Sequence, residues 1–247
     1  MSPQDRLIVA LDVSTAVEAQ EIVYEMGDSV SFYKVGLQLF AAEGPKIVSE
    51  LVSSGRKVFL DLKLHDIPNT VGQAVKSICG LGVRMVTVHA AGGSTMMKEA
   101  VQAAKAGAVE PIILGVTVLT SFGQLDLEES GVHIDLSQQV RRLADLAKSS
   151  GCRGVVTSPR EAASLRSALG PDLAIVTPGI RPAGSDAGDQ SRIATPAAAI
   201  RAGASHLVVG RPIVGATNRN HAAKLILEEI GAAIDSPEME MASRKPA

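Results

Sequence analysis

Charged residues interrupt an apolar segment near the end of the first quarter of the chain. From Lys57 to Leu64 the sequence reads Lys-Val-Phe-Leu-Asp-Leu-Lys-Leu, so Asp61 and Lys63 stand two residues apart. On a β-strand, side chains two apart share one face, and the leucines beside them occupy the other. A charged amine next to a carboxylate can stabilise a developing negative charge and then donate a proton. The pair is therefore a candidate site for general acid catalysis.

The alternative interpretation of this pair is a structural ion pair. Withdrawing two charges from water is costly, and well-packed aliphatic residues are often at least as stable. Asp12, at the end of the first predicted strand, and Lys34, within the second, would bring two more charges to the same place. Four charges favour a functional interpretation of the cluster, whereas Asp12 taken alone fits either interpretation.

Glycine and arginine occur together in two later segments, 177–181 and 208–212, which read Thr-Pro-Gly-Ile-Arg and Val-Val-Gly-Arg-Pro. Glycine lets the backbone approach an anion, and the guanidinium group offers paired donors to phosphate. These segments predict a site for a phosphorylated small molecule. The connection between Arg181 and Thr195 is long and rich in turn-forming residues, which predicts either a lid over this site or a solvated loop.

The elements that must position these groups alternate between strands and helices. Eight β-branched or aliphatic segments recur along the 247 residues, each followed by a helical pattern, which predicts a single (β/α)8 TIM barrel over residues 1–235. An open doubly wound sheet is the alternative for the same alternation. In barrels, reactive groups stand at the carboxyl ends of the strands. The predicted strands are Leu7–Val13, Phe32–Leu39, Lys57–Leu64, Met85–His89, Ile112–Leu119, Gly154–Thr157, Ala174–Pro178 and His206–Gly210.

Side-chain caps predict where several helices begin. Thr15 with Glu18 and Ser158 with Glu161 have capping-box spacing, and Thr195 precedes Pro196 at a first helical position. Glycines at the expected helix ends complete the pattern; they are Gly27, Gly55, Gly107, Gly151 and Gly170. Residues 236–247 lack apolar periodicity and predict a disordered tail.

Composition argues against several other classes of protein. The net charge is −2 without a basic stripe, so a nucleic-acid partner is not expected. The apolar segments are too short for a signal peptide or a membrane span. Cys79 and Cys152 have no metal-ligand spacing and predict reduced thiols in a cytoplasmic protein. Metal-binding HExxH, P-loop and dinucleotide-binding motifs are not found in the sequence.

The segment from Asp61 to Thr70, which reads Asp-Leu-Lys-Leu-His-Asp-Ile-Pro-Asn-Thr, resembles the signature of the orotidine 5′-phosphate decarboxylase family in its bacterial type. The similarity covers nearly the whole chain in the same order, and the continuation after Lys63 is more specific than its first residues, which a wider superfamily shares. Further matching segments are Leu7–Asp12, Tyr33–Gly36, Val118–Ser121, Pro178–Arg181, Gly188–Gln190 and Val209–Pro212.

The resemblance implies an activity and a role for each residue of the charged cluster. The family removes carbon dioxide from orotidine 5′-monophosphate (OMP) to give UMP in pyrimidine biosynthesis, and needs neither a metal nor another cofactor. By resemblance, Lys63 donates the proton to C6 of the pyrimidine and Asp61 crowds the departing carboxylate. Lys34 links the ribose to the charge network, and Asp12 holds a sugar hydroxyl.

The resemblance also implies a homodimer with shared active sites. Asp66, Ile67 and Thr70 are expected to reach into the site of the neighbouring subunit. Thr120 is expected to contact the pyrimidine. The residues expected to bind the phosphate as the lid closes are Arg181, Gln190, Gly210 and Arg211.

Two rival functions share part of this pattern. The related hexulose-phosphate synthase branch resembles a magnesium enzyme with an acidic ligand on the second strand, where this chain has Lys34. A non-enzymatic barrel could bind a phosphorylated metabolite with Arg211 and Gln190 alone. The intact set of Asp61, Lys63 and Asp66 argues against that second rival.

Overall fold

The eight predicted strands form a closed barrel. In the computed structural model, which describes residues 1–182 and 193–236, each strand is parallel to its neighbours and the last pairs with the first. The predicted (β/α)8 barrel is thereby confirmed, and the open doubly wound sheet is wrong. The strands are β1 (Leu7–Ala10), β2 (Phe32–Gly36), β3 (Lys57–Leu64), β4 (Met85–His89), β5 (Ile112–Val116), β6 (Gly154–Val156), β7 (Ala174–Thr177) and β8 (His206–Val209).

The helices surround this barrel, and within the described ranges none is long and apolar enough to cross a lipid bilayer. They are α1 (Pro3–Arg6), α2 (Ala16–Met26), α3 (Leu37–Glu43), α4 (Pro45–Ser53), α5 (Pro68–Cys79), α6 (Gly93–Lys105), α7 (Gln124–Glu129), α8 (Leu136–Ser149), α9 (Ala162–Leu169), α10 (Pro196–Arg201), α11 (Arg211–Val214) and α12 (Arg219–Ile234). A short 3₁₀ turn, Ala90–Gly92, precedes α6. Apart from Ser236, the predicted tail lies outside the described residues.

Two of the three predicted helix starts are confirmed. The Thr15 hydroxyl accepts a hydrogen bond from the Glu18 N–H, and the Thr195 hydroxyl accepts one from the Ala198 N–H. The prediction at Ser158 is wrong, because α9 begins only at Ala162. The Ser158 hydroxyl accepts from the N–H of Arg160, two residues on, and so closes a tight turn before the helix.

The hydrophobic core has an inner and an outer layer. Alternate residues of the strands, among them Ile8, Phe59 and Leu114, fill the barrel interior. The residues between them, such as Leu60, pack against the helices together with Leu62 and Leu64. The leucines of β3 therefore face the helices, as the sequence predicts, and leave its other face to point inward.

The amino-terminal end of the barrel contains a buried histidine. The ring of His206 packs edge-on against Phe32, with ring centroids 6.1 Å apart, and its Nδ1 has no hydrogen-bond partner in the described part of the chain. Burial first, and then the charges of Arg6 and Arg84, lower the pKa of His206 from 6.5 to about 4. His206 is therefore neutral in the folded protein at neutral pH.

This buried histidine predicts a loss of stability in mild acid. A histidine with a lowered pKa in the folded state contributes stability that is complete above its unfolded pKa and is lost as the pH falls towards its folded pKa. Between pH 7 and pH 5, the wild-type protein should lose about 2 kcal/mol more unfolding free energy than His206→Leu. Denaturant unfolding at equal chain concentrations checks this, and equal losses in the two proteins would contradict it.

Candidate active site

A cavity of about 440 Å³ opens at the carboxyl ends of the strands. It contains both predicted sites, because the charged residues of β2 and β3 line one side and the glycine–arginine segments after β7 and β8 line the other. Its lining residues are Ala10, Asp12, Lys34, Phe59, Asp61, Lys63, Val116, Val118, Leu119, Thr120, Val156, Pro178, Gly179, Arg181, Val208, Gly210, Arg211 and Val214.

Four of the predicted charges form a chain of alternating sign along one wall. The Lys34 ammonium lies 2.7 Å from Asp12 Oδ1 and 3.8 Å from Asp61 Oδ2, and the Lys63 ammonium lies 2.9 Å from the same Asp61 oxygen. Lys34 and Asp61 are buried, each with 8% of its surface exposed. Buried charges persist only when they are paired, and each of these has an opposite charge beside it. The predicted convergence of Asp12, Lys34, Asp61 and Lys63 is confirmed.

The third strand is distorted at the point where it carries this chain of charges. Leu60 pairs with Val86 of β4 and Leu64 pairs with Val88, so three residues of β3 lie opposite Thr87 alone. Within this bulge Lys63 has φ of 50°, and it is the one non-glycine residue with positive φ in the described ranges. Such a conformation costs roughly 1 kcal/mol or more and is concentrated at functional sites. The bulge therefore determines how the side chain of Lys63 is directed into the cavity.

Thr87 of β4 is a buried polar residue that sequence reasoning missed. Its hydroxyl donates a hydrogen bond of 3.0 Å to Asp61 Oδ1 and accepts one of 2.8 Å from the backbone N–H of Lys63. Its surface is fully buried. The signal in the sequence is one hydroxyl within the apolar run Met-Val-Thr-Val, two residues before His89.

Gly36 leaves room for the first ion pair of the chain. A Cβ atom at this position would lie 2.8 Å from the Lys34 ammonium nitrogen and 3.0 Å from Asp12 Oδ1. Any larger residue would therefore displace one of the two charged groups. Sequence reasoning assigned this glycine only to the resemblance and not to a role in the site.

His89 lies at the rim beside this wall. Its ring centroid is 5.3 Å from that of His65. Burial first, and then electrostatic interactions with His65 and Lys63, lower the pKa of His89 below its usual range. The lowered pKa favours the neutral form of His89 beside Lys63.

The opposite wall has the features of an anion site. Gly179 adopts φ of 77°, a conformation that favours glycine, and Gly210 follows β8 and caps the start of α11. Arg181 is buried and its Nη1 donates to the Ile180 carbonyl oxygen, while Arg211 begins α11 at the surface. Gln190 and most of the predicted lid, residues 183–192, lie outside the described residues.

Asp66, Ile67 and Thr70 do not line this cavity. All three are exposed at the start of α5, and Ile67 exposes 66% of its surface. The Asp66 carboxylate accepts a hydrogen bond from the adjacent Ile67 N–H. A single chain thus brings Asp12, Lys34, Asp61 and Lys63 together but leaves Asp66 apart from them.

The barrel and its cluster of ionisable groups at the carboxyl ends of the strands define the chain as an enzyme of the (β/α)8-barrel class. Across the described ranges, no group of three or more His, Cys, Asp or Glu residues is arranged to hold a metal ion.

Comparison with known proteins identifies the family. Residues 5–226 match the model of the orotidine 5′-phosphate decarboxylase / HUMPS family. Orotidine 5′-phosphate decarboxylases of Heliobacterium modesticaldum and Carboxydothermus hydrogenoformans are 49% and 51% identical to the chain over 236 and 230 residues. These alignments cover 93% and 92% of the chain, and 97% and 96% of the relatives.

A solved structure agrees with these relatives. The orotidine 5′-phosphate decarboxylase of Lactobacillus acidophilus is similar with a TM-score of 0.83 at 40% identity, covering 91% of this chain and 98% of that one. The chain belongs to the orotidine 5′-phosphate decarboxylase / HUMPS family, and it is a carboxy-lyase.

Proposed function

We propose that the chain converts OMP to UMP and carbon dioxide without a cofactor, and that Lys63 donates the proton to C6. The observation that carries this proposal is the Lys63 ammonium, held 2.9 Å from Asp61 at one wall of a cavity whose other wall is suited to phosphate. The names of the relatives indicate OMP as the substrate, and the cavity contains residues that suit each part of OMP.

The chemistry follows from the position of this ammonium group. When the bond between C6 and the carboxyl carbon breaks, carbon dioxide leaves and the electron pair remains on C6. A fixed positive charge beside C6 stabilises this pair, because preformed charges act strongly in a site that excludes water. Transfer of a proton from Lys63 Nζ to C6 then completes UMP. Lys63 can regain its proton from solvent, since 29% of its side chain is exposed.

Asp61 acts on the carboxyl group that departs. Its carboxylate is fixed by Lys63 on one oxygen and by Thr87 on the other, so it cannot turn away from a second negative charge placed beside it. Repulsion between the two carboxylates would raise the energy of the bound substrate, although the stabilisation provided by Lys63 does not depend on it.

The remaining cavity residues fit the other parts of OMP. The inward apolar residues, including Phe59, Val116 and Val156, suit a flat pyrimidine ring, and Thr120, which lines the same cavity, would contact the edge of that ring. Asp12 and Lys34 line the cavity as well, and in this proposal they bind the ribose hydroxyls.

The phosphate end supplies binding energy at a distance from the reacting carbon. Arg181, Gly210 and Arg211 line that wall, and Gln190 would join them from the lid. Binding energy from a remote phosphate can drive closure and be expressed mainly in the transition state, where it raises kcat.

We further propose that the working unit is a homodimer in which Asp66, Ile67 and Thr70 complete the site of the partner subunit. Their exposure, their separation from their own cavity and the large apolar surface of Ile67 support this arrangement. The functional domain in this proposal is residues 1–235. A cytoplasmic location is supported by two buried, unpaired cysteines, Cys79 and Cys152.

A single assay tests the function. Purified protein is mixed with OMP in EDTA, and the pyrimidine absorbance is followed over time. We expect turnover to UMP under these conditions. Turnover that requires added Mg²⁺ would contradict the cofactor-free part of the proposal, and the absence of turnover in both conditions would refute the proposal.

A further inference from the structure

We propose that Thr87 is a positioning residue for the catalytic pair Asp61 and Lys63. This inference rests on the proposed decarboxylation, because it concerns how that reaction's acid is held in place. It starts from one fact of the geometry: the same hydroxyl group bonds both members of the pair.

The direction of both hydrogen bonds is fixed by chemistry. A backbone N–H can only donate, so the bond from Lys63 must end on the Thr87 oxygen. The Thr87 hydroxyl therefore donates its proton in a hydrogen bond of 3.0 Å to Asp61 Oδ1, because a carboxylate oxygen accepts hydrogen bonds. The Thr87 hydroxyl is thus hydrogen-bonded to the backbone of Lys63 and to the side chain of Asp61 at the same time.

The strand pairing explains why a side chain is needed there. Leu60 and Leu64 pair with Val86 and Val88, so the β3 residues between them have no regular ladder partner on β4. The freed N–H of Lys63 is taken up by Thr87 instead of by a backbone carbonyl. A side-chain acceptor in this gap stabilises the positive φ of Lys63 and therefore the bulge itself.

The second bond sets the rotation of the Asp61 carboxylate. With Oδ1 held by Thr87, Oδ2 points to Lys63 at 2.9 Å and to Lys34 at 3.8 Å. Without the hydroxyl, the Asp61 carboxylate is free to rotate about its Cβ–Cγ bond. The Lys63 ammonium then loses its fixed partner. Misplacement of a reacting group by about 1 Å can cost on the order of 10²-fold in rate.

Replacement of Thr87 by valine tests the proposal. Valine keeps the shape of threonine and removes only the hydroxyl. We expect kcat for OMP to fall by about 10- to 100-fold while KM changes by less than about threefold, because the lost contact positions the acid and does not hold the substrate. Thr87→Ser, which restores the hydroxyl, should recover kcat to within about fivefold of wild type.

Thr117→Val is the matched control. Thr117 directly follows β5 and is also buried, but its hydroxyl donates to the Val156 carbonyl oxygen and the residue does not line the cavity. It should lose stability without losing kcat. If Thr87→Val kept kcat within twofold of wild type, if Thr87→Ser were as slow as Thr87→Val, or if Thr117→Val lost as much kcat, the hydroxyl would have only a structural role and the proposal would be wrong.

Should Thr87→Val fail to fold, the pair Thr87→Ser and Thr87→Ala decides the same question, since the two differ by the hydroxyl alone. Crystal structures of the folded variants test the positioning of Asp61 and Lys63 without any substrate. We expect Lys63 to leave positive φ and the Asp61–Lys63 contact to lengthen when the hydroxyl is absent. Unchanged geometry in a variant of an active enzyme would overturn this inference alone, whereas wild-type protein that fails to consume OMP would overturn the proposed function and the inference with it.

Discussion

Replacement of Lys63 by alanine should lower kcat for OMP by roughly 10⁴-fold or more while the protein remains folded. The change removes two contributions at once, the proton donor and the charge that stabilises the electron pair on C6. Each contribution alone accounts for a factor of about 10² to 10⁴, and both depend on the same nitrogen.

The fold should survive this change for structural reasons. The side chain of Lys63 is partly exposed, and Asp61 keeps the Lys34 ammonium 3.8 Å away and the Thr87 hydroxyl at 3.0 Å. Asp61 is therefore not left as an unpaired buried charge. Near-wild-type circular dichroism and a cooperative unfolding transition should accompany the loss of kcat.

The same strand offers a matched control. Lys57 begins β3 at the opposite end of the barrel, where its ammonium lies 2.7 Å from Asp5. Lys57→Ala removes a lysine from the same strand without touching the cavity, and should keep its turnover. Arg211→Ala, at the phosphate wall, should differ from both by raising KM as well as lowering kcat, because it weakens the binding of the phosphate. Near-normal turnover by Lys63→Ala would show that another group protonates C6.

The sequence predicts the fold well because the hydrophobic pattern determines which face of each strand is buried. The bounds of β3 and β4 agree with prediction, whereas β2 and β5 end at Gly36 and Val116, three residues earlier than predicted. Apolar residues continue past both ends into α3 and the following loop, so apolarity alone could not mark where the pairing stops. The start of α9 was wrong because Ser158 has the spacing of a cap but closes a turn.

The candidate site was predictable only in part. Asp12, Lys34, Asp61 and Lys63 are unusual residues for barrel strands, and their convergence follows from strand polarity. The bulge in β3 and the role of Thr87 depend on how β3 and β4 align, which no local pattern records. The role of Gly36 could not be predicted either, because this glycine leaves space for the contact between Lys34 and Asp12, which are 22 positions apart.

The position of Asp66 leads to the second large effect. Asp66 is only three positions after Lys63 in the sequence, yet it lies exposed outside the cavity that Lys63 lines. If Asp66 completes the partner's site, Lys63→Ala and Asp66→Asn each inactivate both sites of their own homodimer. A hybrid of the two would contain one site with intact Lys63 and intact Asp66.

Mixing the two inactive variants should therefore restore activity. After free exchange of equal amounts, half of the dimers are hybrids and half of their sites are intact, so about one quarter of wild-type turnover is expected. Subunit exchange is measured by native mass spectrometry on the same samples, and turnover should rise in proportion to the hybrid fraction.

A second mixture separates sharing between subunits from a general effect of mixing. Asp61 and Lys63 lie 2.9 Å apart in one chain, so hybrids of Asp61→Asn with Lys63→Ala have a defect in each site and should stay inactive. Rescue in the first mixture alone would assign Asp66 to the partner's site. If hybrids form and neither mixture gains turnover, Asp66 acts within its own chain and the shared site is wrong, because each site of the hybrid then contains one of the two substitutions.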